Sequence, residues 1–231
     1  DIFSTGTALH SLSAAMDIAG LVELSQGNLA ALRAHIGATG DLDAHLPASL
    51  MVAPSMRDTL LTFAVRHRQA AAVQLLLDSG AGVEATTSTG DAPLMFAGAM
   101  NSADIAQLLL KAGAVVDGRQ GESSPSFTAC AVACWQGHRE VAKLLLDAGA
   151  AVDRKFSFGD QPDETMLSAA SRHGHLEIAR LLLEAGAAMN QAPNHGTTPL
   201  FIACQMGHLE CAQVLRQAGA AINQARNTGA T

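Results

Sequence analysis

Histidine and cysteine are the side chains of this sequence that could bind a metal ion or act as a base. The 231 residues contain nine histidines and four cysteines. Zinc takes imidazole and thiolate ligands, and a helix that binds zinc through HExxH needs its histidines four residues apart. His173 and His175 are only two residues apart, while Cys134 and His138 have the four-residue spacing without a third or fourth ligand nearby. We therefore predict no metal site.

A second set of histidines is periodic, which favours a structural role. His138, His175 and His208 each follow a glycine and are separated by 37 and 33 residues, so we expect them to lie about one structural repeat apart and not around one ion. No serine lies in a GxSxG elbow, and no GxxxxGKS or GxxxxGKT phosphate loop is present. The sequence thus predicts no catalytic residue and no cofactor, and a protein that is not an enzyme.

The cysteines do not have the spacing of a disulfide framework. Cys134 and Cys204 occupy the same place two repeats apart. Because packed helices lie about 8–10 Å apart, two such sulfurs are too distant to bond. We expect four buried free thiols, namely Cys130, Cys134, Cys204 and Cys211. Free thiols favour a reducing, intracellular and cytoplasmic location, with an organelle as the alternative.

Charge and hydropathy exclude several kinds of partner. The formal net charge is −7, which argues against nucleic acid or an anionic membrane surface, because phosphate binding needs a basic face. No apolar run reaches the roughly 18 residues of a membrane-spanning helix, so we predict no membrane insertion. The first residues lack the pattern of a signal peptide. Since the chain begins at Asp1 and a new repeat opens at residues 228–231, we expect a segment of a longer protein.

The elements that position these residues follow from a phrase that occurs five times. It reads LLLDSGA, LLLKAGA, LLLDAGA, LLLEAGA and VLRQAGA, and its glycines are spaced by 33, 36, 37 and 33 residues. Self-similarity at a period near 33 is typical of stacked helical units. In the last copy, Thr198 is a suitable N-cap, Pro199 fits the first helical position, and Gly207 ends the helix. A second amphipathic helix then runs from His208 to Gly219.

A Thr-Pro-Leu start, a Gly-His turn between two helices and a Leu-Leu-x-x-Gly-Ala end resemble the ankyrin repeat. The resemblance covers residues 18–231 and implies an all-α fold, an ankyrin-repeat solenoid of antiparallel helix pairs joined by hairpin fingers, with a concave groove that binds proteins. Residues 1–17 form an N-terminal segment. Six repeats follow, the first degenerate, at about 18–57, 58–90, 91–124, 125–161, 162–195 and 196–227, with another starting at 228.

Departures from the family pattern occur in two places. Arg68-Gln69 and Asn101-Ser102 replace Gly-His, and we expect less regular turns there, because glycine is preferred at such a helix end. The wider spacings add residues to the fingers around 117–127 and 154–163, and insertions in stacked repeats are often on the binding face. Asn190 and Asn223 lie at a connector position that is hydroxylated in some relatives, and we interpret them as turn residues.

The resemblance also implies where a partner would bind. In this family the two residues before the inter-helix turn face the groove, and fingertips make further contacts. The corresponding residues here are Arg66, His67, Ala99, Met100, Trp135, Gln136, Arg172, His173, Gln205 and Met206 before the turns, and Asn194 and His195 at a fingertip.

The aromatic residues are concentrated near the only tryptophan. Trp135 is followed by Phe156 and Phe158 and preceded by Phe127 in the lengthened fingers, and tryptophan is favoured at binding hot spots. We predict a contact patch of Trp135, Phe127, Phe156 and Phe158, edged by Arg172 and His173. The alternative is that the phenylalanines pack internally and hold the long fingers.

These observations favour a non-catalytic scaffold whose partner is another protein. Two alternatives stay open: a regulatory or spacer segment of a larger multidomain protein, and a structural subunit of a large assembly. A polar groove would favour reversible recognition, and a large apolar one would favour permanent assembly. The sequence leaves the oligomeric state open.

Overall fold

The computed structural model describes residues 28–38, 41–46, 58–118, 127–157, 164–191 and 197–222. These residues form eleven helices and one short strand pair. The helices are α1 (Leu29–Ala38), α2 (Leu60–Arg66), α3 (Ala70–Asp78), α4 (Pro93–Ala99), α5 (Ala103–Lys111), α6 (Ala129–Gln136), α7 (Arg139–Asp147), α8 (Met166–His173), α9 (Leu176–Glu184), α10 (Pro199–Met206) and α11 (Leu209–Gln217). The strands are β1 (Lys155–Phe156) and β2 (Glu164–Thr165). The expected all-α repeat fold is confirmed.

The chain divides into two compact units, Asp1–Val115 and Val116–Thr231, here called the N-terminal and C-terminal halves. In the N-terminal half, α2 packs on α3 and α4, α4 on α5, and α3 on α1 and α5. In the C-terminal half, α8 packs on both α6 and α10, while α9 packs on both α7 and α11. We call the leading helix of each pair its first helix (α2, α4, α6, α8 and α10) and the helix that follows it the second helix. Within each half, a first helix therefore packs against the first helix of the next repeat, and a second helix packs against the next second helix.

The two kinds of helix bury different fractions of their surface. The second helices α3, α5, α7, α9 and α11 bury one stripe of two to four residues, which in α7 consists of Val141, Ala142 and Leu145, each 0% exposed. The first helices α2, α4, α6, α8 and α10 bury four to six residues, and in α8 the buried run is continuous from Met166 to Ser171. Because α8 is enclosed by its neighbours up to Ser171, only its last two residues emerge from the core.

Four of the first helices start with the expected threonine cap. The Thr198 side chain accepts a hydrogen bond from the backbone N–H of Phe201, which satisfies one of the free donors of a helix N-terminus. Pro199 stands at the start of α10, where its missing donor costs nothing. Thr59, Thr128 and Thr165 cap α2, α6 and α8 in the same way.

The turns between paired helices are more regular than the sequence indicates. Gly137, Gly174 and Gly207 have φ angles of 82°, 71° and 78°. Arg68 and Asn101, which replace the glycine in the N-terminal half, adopt the same left-handed conformation with φ of 56° and 52°. The expectation of less regular turns is therefore wrong: the stack keeps the turn, at the cost of some backbone strain.

The connectors carry a series of hydrogen bonds between consecutive repeats. Carboxylate or amide oxygens accept from a backbone N–H of the following repeat, as Asp153 does from Ala188 at 2.8 Å and Asn190 from Ala221 at 2.9 Å. Further members of the series are Asp43 with Gly82, Glu84 with Val115, and Asp117 with Ala151. Asn190 is thus a structural turn residue, as its sequence position indicates.

One cysteine departs from the expected burial. Cys130, Cys134 and Cys211 are buried, but Cys204 is exposed, so the expectation of four buried thiols is wrong at this position. Cys204 lies on α10, the last first helix in the part of the chain that the structure describes, so no following first helix there packs against it. No helix in the described ranges is long and apolar enough to span a membrane.

Candidate functional site

The predicted contact positions at the ends of the first helices lie at the surface. In the C-terminal half they form what we call the helix-end strip, consisting of Trp135, Gln136, Arg172, His173, Gln205 and Met206. Trp135 and Arg172 are half-buried and the other four side chains are exposed. Because α8 packs on both α6 and α10, the strip crosses three neighbouring helices.

The centre of the strip is an aromatic pair. The ring centroids of Trp135 and His173 are 5.6 Å apart with an interplanar angle of 85°, the edge-to-face geometry that aromatic rings prefer. The His173 ring also stacks on His175, with centroids 5.8 Å apart. Trp135 is consequently held in position by contacts from the next repeat, although part of its surface stays accessible.

The turn histidines hold the backbone of the strip. The Nε2 atom of His175 donates to the carbonyl oxygen of Trp135 at 3.1 Å, and Nε2 of His208 donates to that of Arg172 at 3.0 Å. Each therefore satisfies a carbonyl at the end of the preceding first helix, where no intrahelical partner exists. The periodicity of these histidines indicates a structural role, but it does not reveal that His175 and His208 hold the backbone of the helix-end strip.

The arginine of the strip is paired with a carboxylate. Nε of Arg172 donates to Oε1 of Glu164 at 2.6 Å, and its Nη2 contacts the same oxygen. An equivalent pair joins Arg66 to Asp58 in the N-terminal half, with 2.7 Å between Nη1 and Oδ2. Both arginines lie eight residues after their acids. Their positive charges are therefore largely compensated, which weakens any attraction for an anionic ligand.

The contact residues of the N-terminal half have internal partners as well. The Arg66 guanidinium carbon lies 5.5 Å from the centroid of the Phe96 ring, and the His67 ring lies 4.2 Å from that of Phe63. Burial, together with the positive charge of Arg66, lowers the pKa of His67. Met100 is 37% exposed and offers a polarizable thioether.

The predicted aromatic patch requires a correction. Phe127 and Phe156 are only 8% and 2% exposed, and their rings meet edge to face with centroids 5.4 Å apart. Phe156 belongs to β1, which pairs antiparallel with β2. The two rings are buried and pack against each other at the base of a lengthened finger. They therefore do not join Trp135 in an exposed patch. Phe158, Asn194 and His195 lie outside the described residues.

The described residues contain no group of three or more histidine, cysteine, aspartate or glutamate side chains that could hold a metal ion. A hydrogen bond with Cys130 and, as the next largest effect, burial raise the pKa of the Cys134 thiol. Cys134 is therefore protonated at neutral pH, whereas the thiolate is the reactive nucleophile of cysteine.

We expect Trp135 fluorescence to report the protonation of His173. Burial and, next, the charge of His175 lower the pKa of His173, and the carboxylate of Glu164 only partly opposes this effect. Trp135 emission should therefore change with a midpoint below the ordinary histidine value of about 6.5. The contribution of His173 to the stability of the fold is fully present above pH 6.5 and falls as the pH drops toward the lowered pKa, because the unfolded chain binds the proton more tightly.

A fluorescence titration of His173→Gln checks this expectation. The substitution should abolish the transition, whereas His67→Gln, in the other half, should leave it unchanged. An unaltered transition in the His173→Gln protein would contradict the assignment.

Comparisons with known proteins agree with the geometry. The profile of a family described as ankyrin repeats, in three copies, matches residues 24–120, 61–156 and 132–226. The human ASB11 ankyrin repeat domain is similar, with a TM-score of 0.75 and 23% identity over 92% of this chain and 88% of that domain. The ankyrin repeat domain of Bcl-3, described as a unique member of the IkappaB protein family, has a TM-score of 0.75 and 25% identity over 94% and 92%. No curated protein matches the sequence.

Proposed function

This chain belongs to the ankyrin-repeat family, whose members are generally protein–protein interaction modules, and we propose that it is a non-catalytic scaffold that binds a protein through the helix-end strip. The observation that carries this proposal is the Trp135–His173 pair, which is ordered by His175 before any partner arrives. A preordered aromatic surface loses little conformational entropy on binding. Tryptophan is also the residue type most enriched at hot spots.

The chemistry of the strip favours an uncharged, partly apolar segment of the partner. Arg172 is neutralised by Glu164, and the lowered pKa of His173 leaves its imidazole mainly neutral at pH 7. The remaining side chains contribute an indole, two amides and the thioether of Met206, which is 43% exposed. We expect an affinity that depends weakly on salt, because screening acts on charged pairs. Such a mixed surface fits reversible recognition better than permanent assembly.

The N-terminal half extends the proposed contact set with Arg66, His67 and Met100. Asn194 and His195, in the finger between α9 and α10, are further predicted contact residues.

Buried free thiols at Cys130, Cys134 and Cys211 support a reducing compartment, and we propose that the protein acts in the cytoplasm.

Replacing Trp135 by alanine should weaken partner binding by about 30-fold, the usual effect of losing a hot-spot side chain worth about 2 kcal/mol. The chain is immobilised, captured proteins are quantified by mass spectrometry, and the enriched partner is then titrated. Gln205→Ala is the matched control, because Gln205 occupies the same place two repeats later and is exposed. It should change affinity by less than about threefold.

Thermal unfolding separates binding from packing. The proposal requires that Trp135→Ala loses affinity while the melting temperature stays within a few degrees. Unchanged affinity combined with a large loss of stability would assign Trp135 to internal packing and sink the proposal.

A further inference from the structure

Two places in each repeat lie eight residues apart and differ in chemistry from one repeat to the next. One is the residue just before the helix cap, and the other is the first of the two contact positions at the helix end. In the α8 repeat they hold Glu164 and Arg172, and in the α6 repeat they hold Phe127 and Trp135. The helix-end strip therefore contains one arginine, and a carboxylate is built into the fold beside it.

The strand pair of the lengthened finger positions that carboxylate. Glu164 is the first residue of β2, and it pairs with Phe156 of β1 in the antiparallel register. Phe156 is 2% exposed and packs edge to face on Phe127. The backbone that carries Glu164 is consequently anchored by strand pairing and by a buried aromatic base, and the Glu164 side chain is itself only 13% exposed.

The contact between the two side chains affects surface charge more than stability. Nε of Arg172 donates to Oε1 of Glu164 at 2.6 Å, and Nη2 contacts the same oxygen. Because the Arg172 side chain is 37% exposed, such a pair contributes little to folding. Its main consequence is that the strip presents a compensated guanidinium beside its aromatic centre.

Glu164 is the only acid that balances the centre of the strip. The charged or titratable groups that act on His173 are His175, Glu164, Arg172 and His208, and three of these four carry positive charge when protonated. Loss of the single carboxylate would leave the guanidinium of Arg172 uncompensated next to the paired rings. One residue therefore controls whether the strip is neutral or positive at pH 7.

We propose that Glu164 determines the charge of the partner segment that the strip accepts, by excluding acidic segments. This inference rests on the proposed function of the strip. An acidic segment would bring its carboxylates close to Glu164, where like charges repel, and Arg172 already has its counterion. Juxtaposed like charges suppress binding of the wrong partner. The lengthened finger thus acts as a specificity element, because it holds the residue that neutralises Arg172.

Replacing Glu164 with glutamine tests the proposal, because glutamine keeps a hydrogen-bond acceptor for Arg172 and removes the charge. Hexaglutamate peptide is titrated at low salt into isotope-labelled protein, and the indole N–H signal of Trp135, the only tryptophan, is followed by NMR. The variant should bind the peptide at least about fivefold more tightly than the native chain, as expected for one exposed ion pair. High salt should remove this gain.

Glu177→Gln is the matched control for net charge. Glu177 is 61% exposed and lies 3.9 Å from both Arg139 and Arg180, outside the strip, so its loss should leave the affinity for hexaglutamate as in the native chain. Adding Arg172→Gln to Glu164→Gln should abolish the gain. Glu164→Thr is a second variant that removes the charge, and this place tolerates threonine in the α10 repeat.

Two outcomes would overturn the proposal. An equal gain in Glu177→Gln would assign the effect to the net charge of the protein. No gain in either folded Glu164 variant would restrict Glu164 to a structural role. Both outcomes are independent of the Trp135→Ala capture experiment, which tests the proposed function of the strip with the native Glu164 in place.

Discussion

Replacing Gly174 with alanine should lower the free energy of unfolding of the C-terminal half by about 3 kcal/mol. Gly174 has φ of 71°, and this left-handed conformation costs a residue with a side chain about 1–2 kcal/mol. A Cβ atom at this position would also lie 2.6 Å from Nδ1 of His208. The imidazole would have to move, and its hydrogen bond to the Arg172 carbonyl, worth about 1 kcal/mol, would be lost.

Gly207→Ala is the matched control for this prediction. Gly207 has nearly the same φ, 78°, but among the described residues no atom beyond its chain neighbours lies within 4 Å of the Cβ that alanine would add. It should therefore pay only the conformational cost of about 1–2 kcal/mol. Urea unfolding followed by circular dichroism measures both variants. In a His208→Ala background the cost of Gly174→Ala should fall to that of the control; equal costs of the two glycine substitutions in the native background would contradict the role of His208.

Replacing Arg66 with methionine should destabilise the N-terminal half by about 2–3 kcal/mol at pH 7, because it leaves a buried carboxylate without its counterion. The Asp58 side chain is 3% exposed and its Oδ2 is 2.7 Å from Nη1 of Arg66. Its Oδ1 has no hydrogen-bond partner among the described residues. Methionine preserves much of the apolar stem of Arg66, so the loss measures the charge more than the packing.

The pH dependence of this effect follows from the direction of the pKa shift. Burial raises the pKa of Asp58, and the positive charge of Arg66 opposes the increase. The folded state thus binds the proton more tightly than the unfolded chain, so the contribution of Asp58 is fully present below about pH 4 and is lost as the pH rises through the raised pKa. Without Arg66 the pKa rises further. The penalty of Arg66→Met should therefore be largest at neutral pH and nearly vanish near pH 3.5.

Arg172→Met provides the control within the same chain. Its partner Glu164 is 13% exposed and keeps more contact with water, so the loss should be about 1 kcal/mol or less. Urea unfolding at pH 7 and pH 3.5 distinguishes the two pairs. A pH-independent cost for Arg66→Met would show that packing, and not the desolvated charge, dominates.

The repeat architecture was predictable because its signals are local. Thr198 caps a helix through its own hydroxyl, and Gly207 ends that helix through its own backbone conformation. Such residues act within four or five positions of the chain, and their recurrence reports the number of helix pairs. The left-handed Arg68 shows the limit of this reasoning, because there the neighbouring helices keep a turn that an arginine does not favour by itself.

The candidate site was predictable only in outline. The repeat register placed Trp135, Arg172 and Met206 near the inter-helix turns, and the structure finds them at the surface. The edge-to-face contact of Trp135 with His173 joins residues 38 positions apart, and no motif encodes it. The hydrogen bond from His175 to the Trp135 carbonyl likewise joins two consecutive repeats.

The sequence by itself determined the helix pairs, their order and their caps, since each depends on residue types at short spacing. Tertiary structure alone decided which of the aromatic, arginine and cysteine side chains are exposed at the surface and which are buried or paired. It buried Phe127 and Phe156 in the base of a finger, paired Arg172 with Glu164, and left Cys204 exposed although its equivalent Cys134 is enclosed. The physical reason is that burial and charge pairing depend on which element lies against a residue, and that neighbour is distant along the chain.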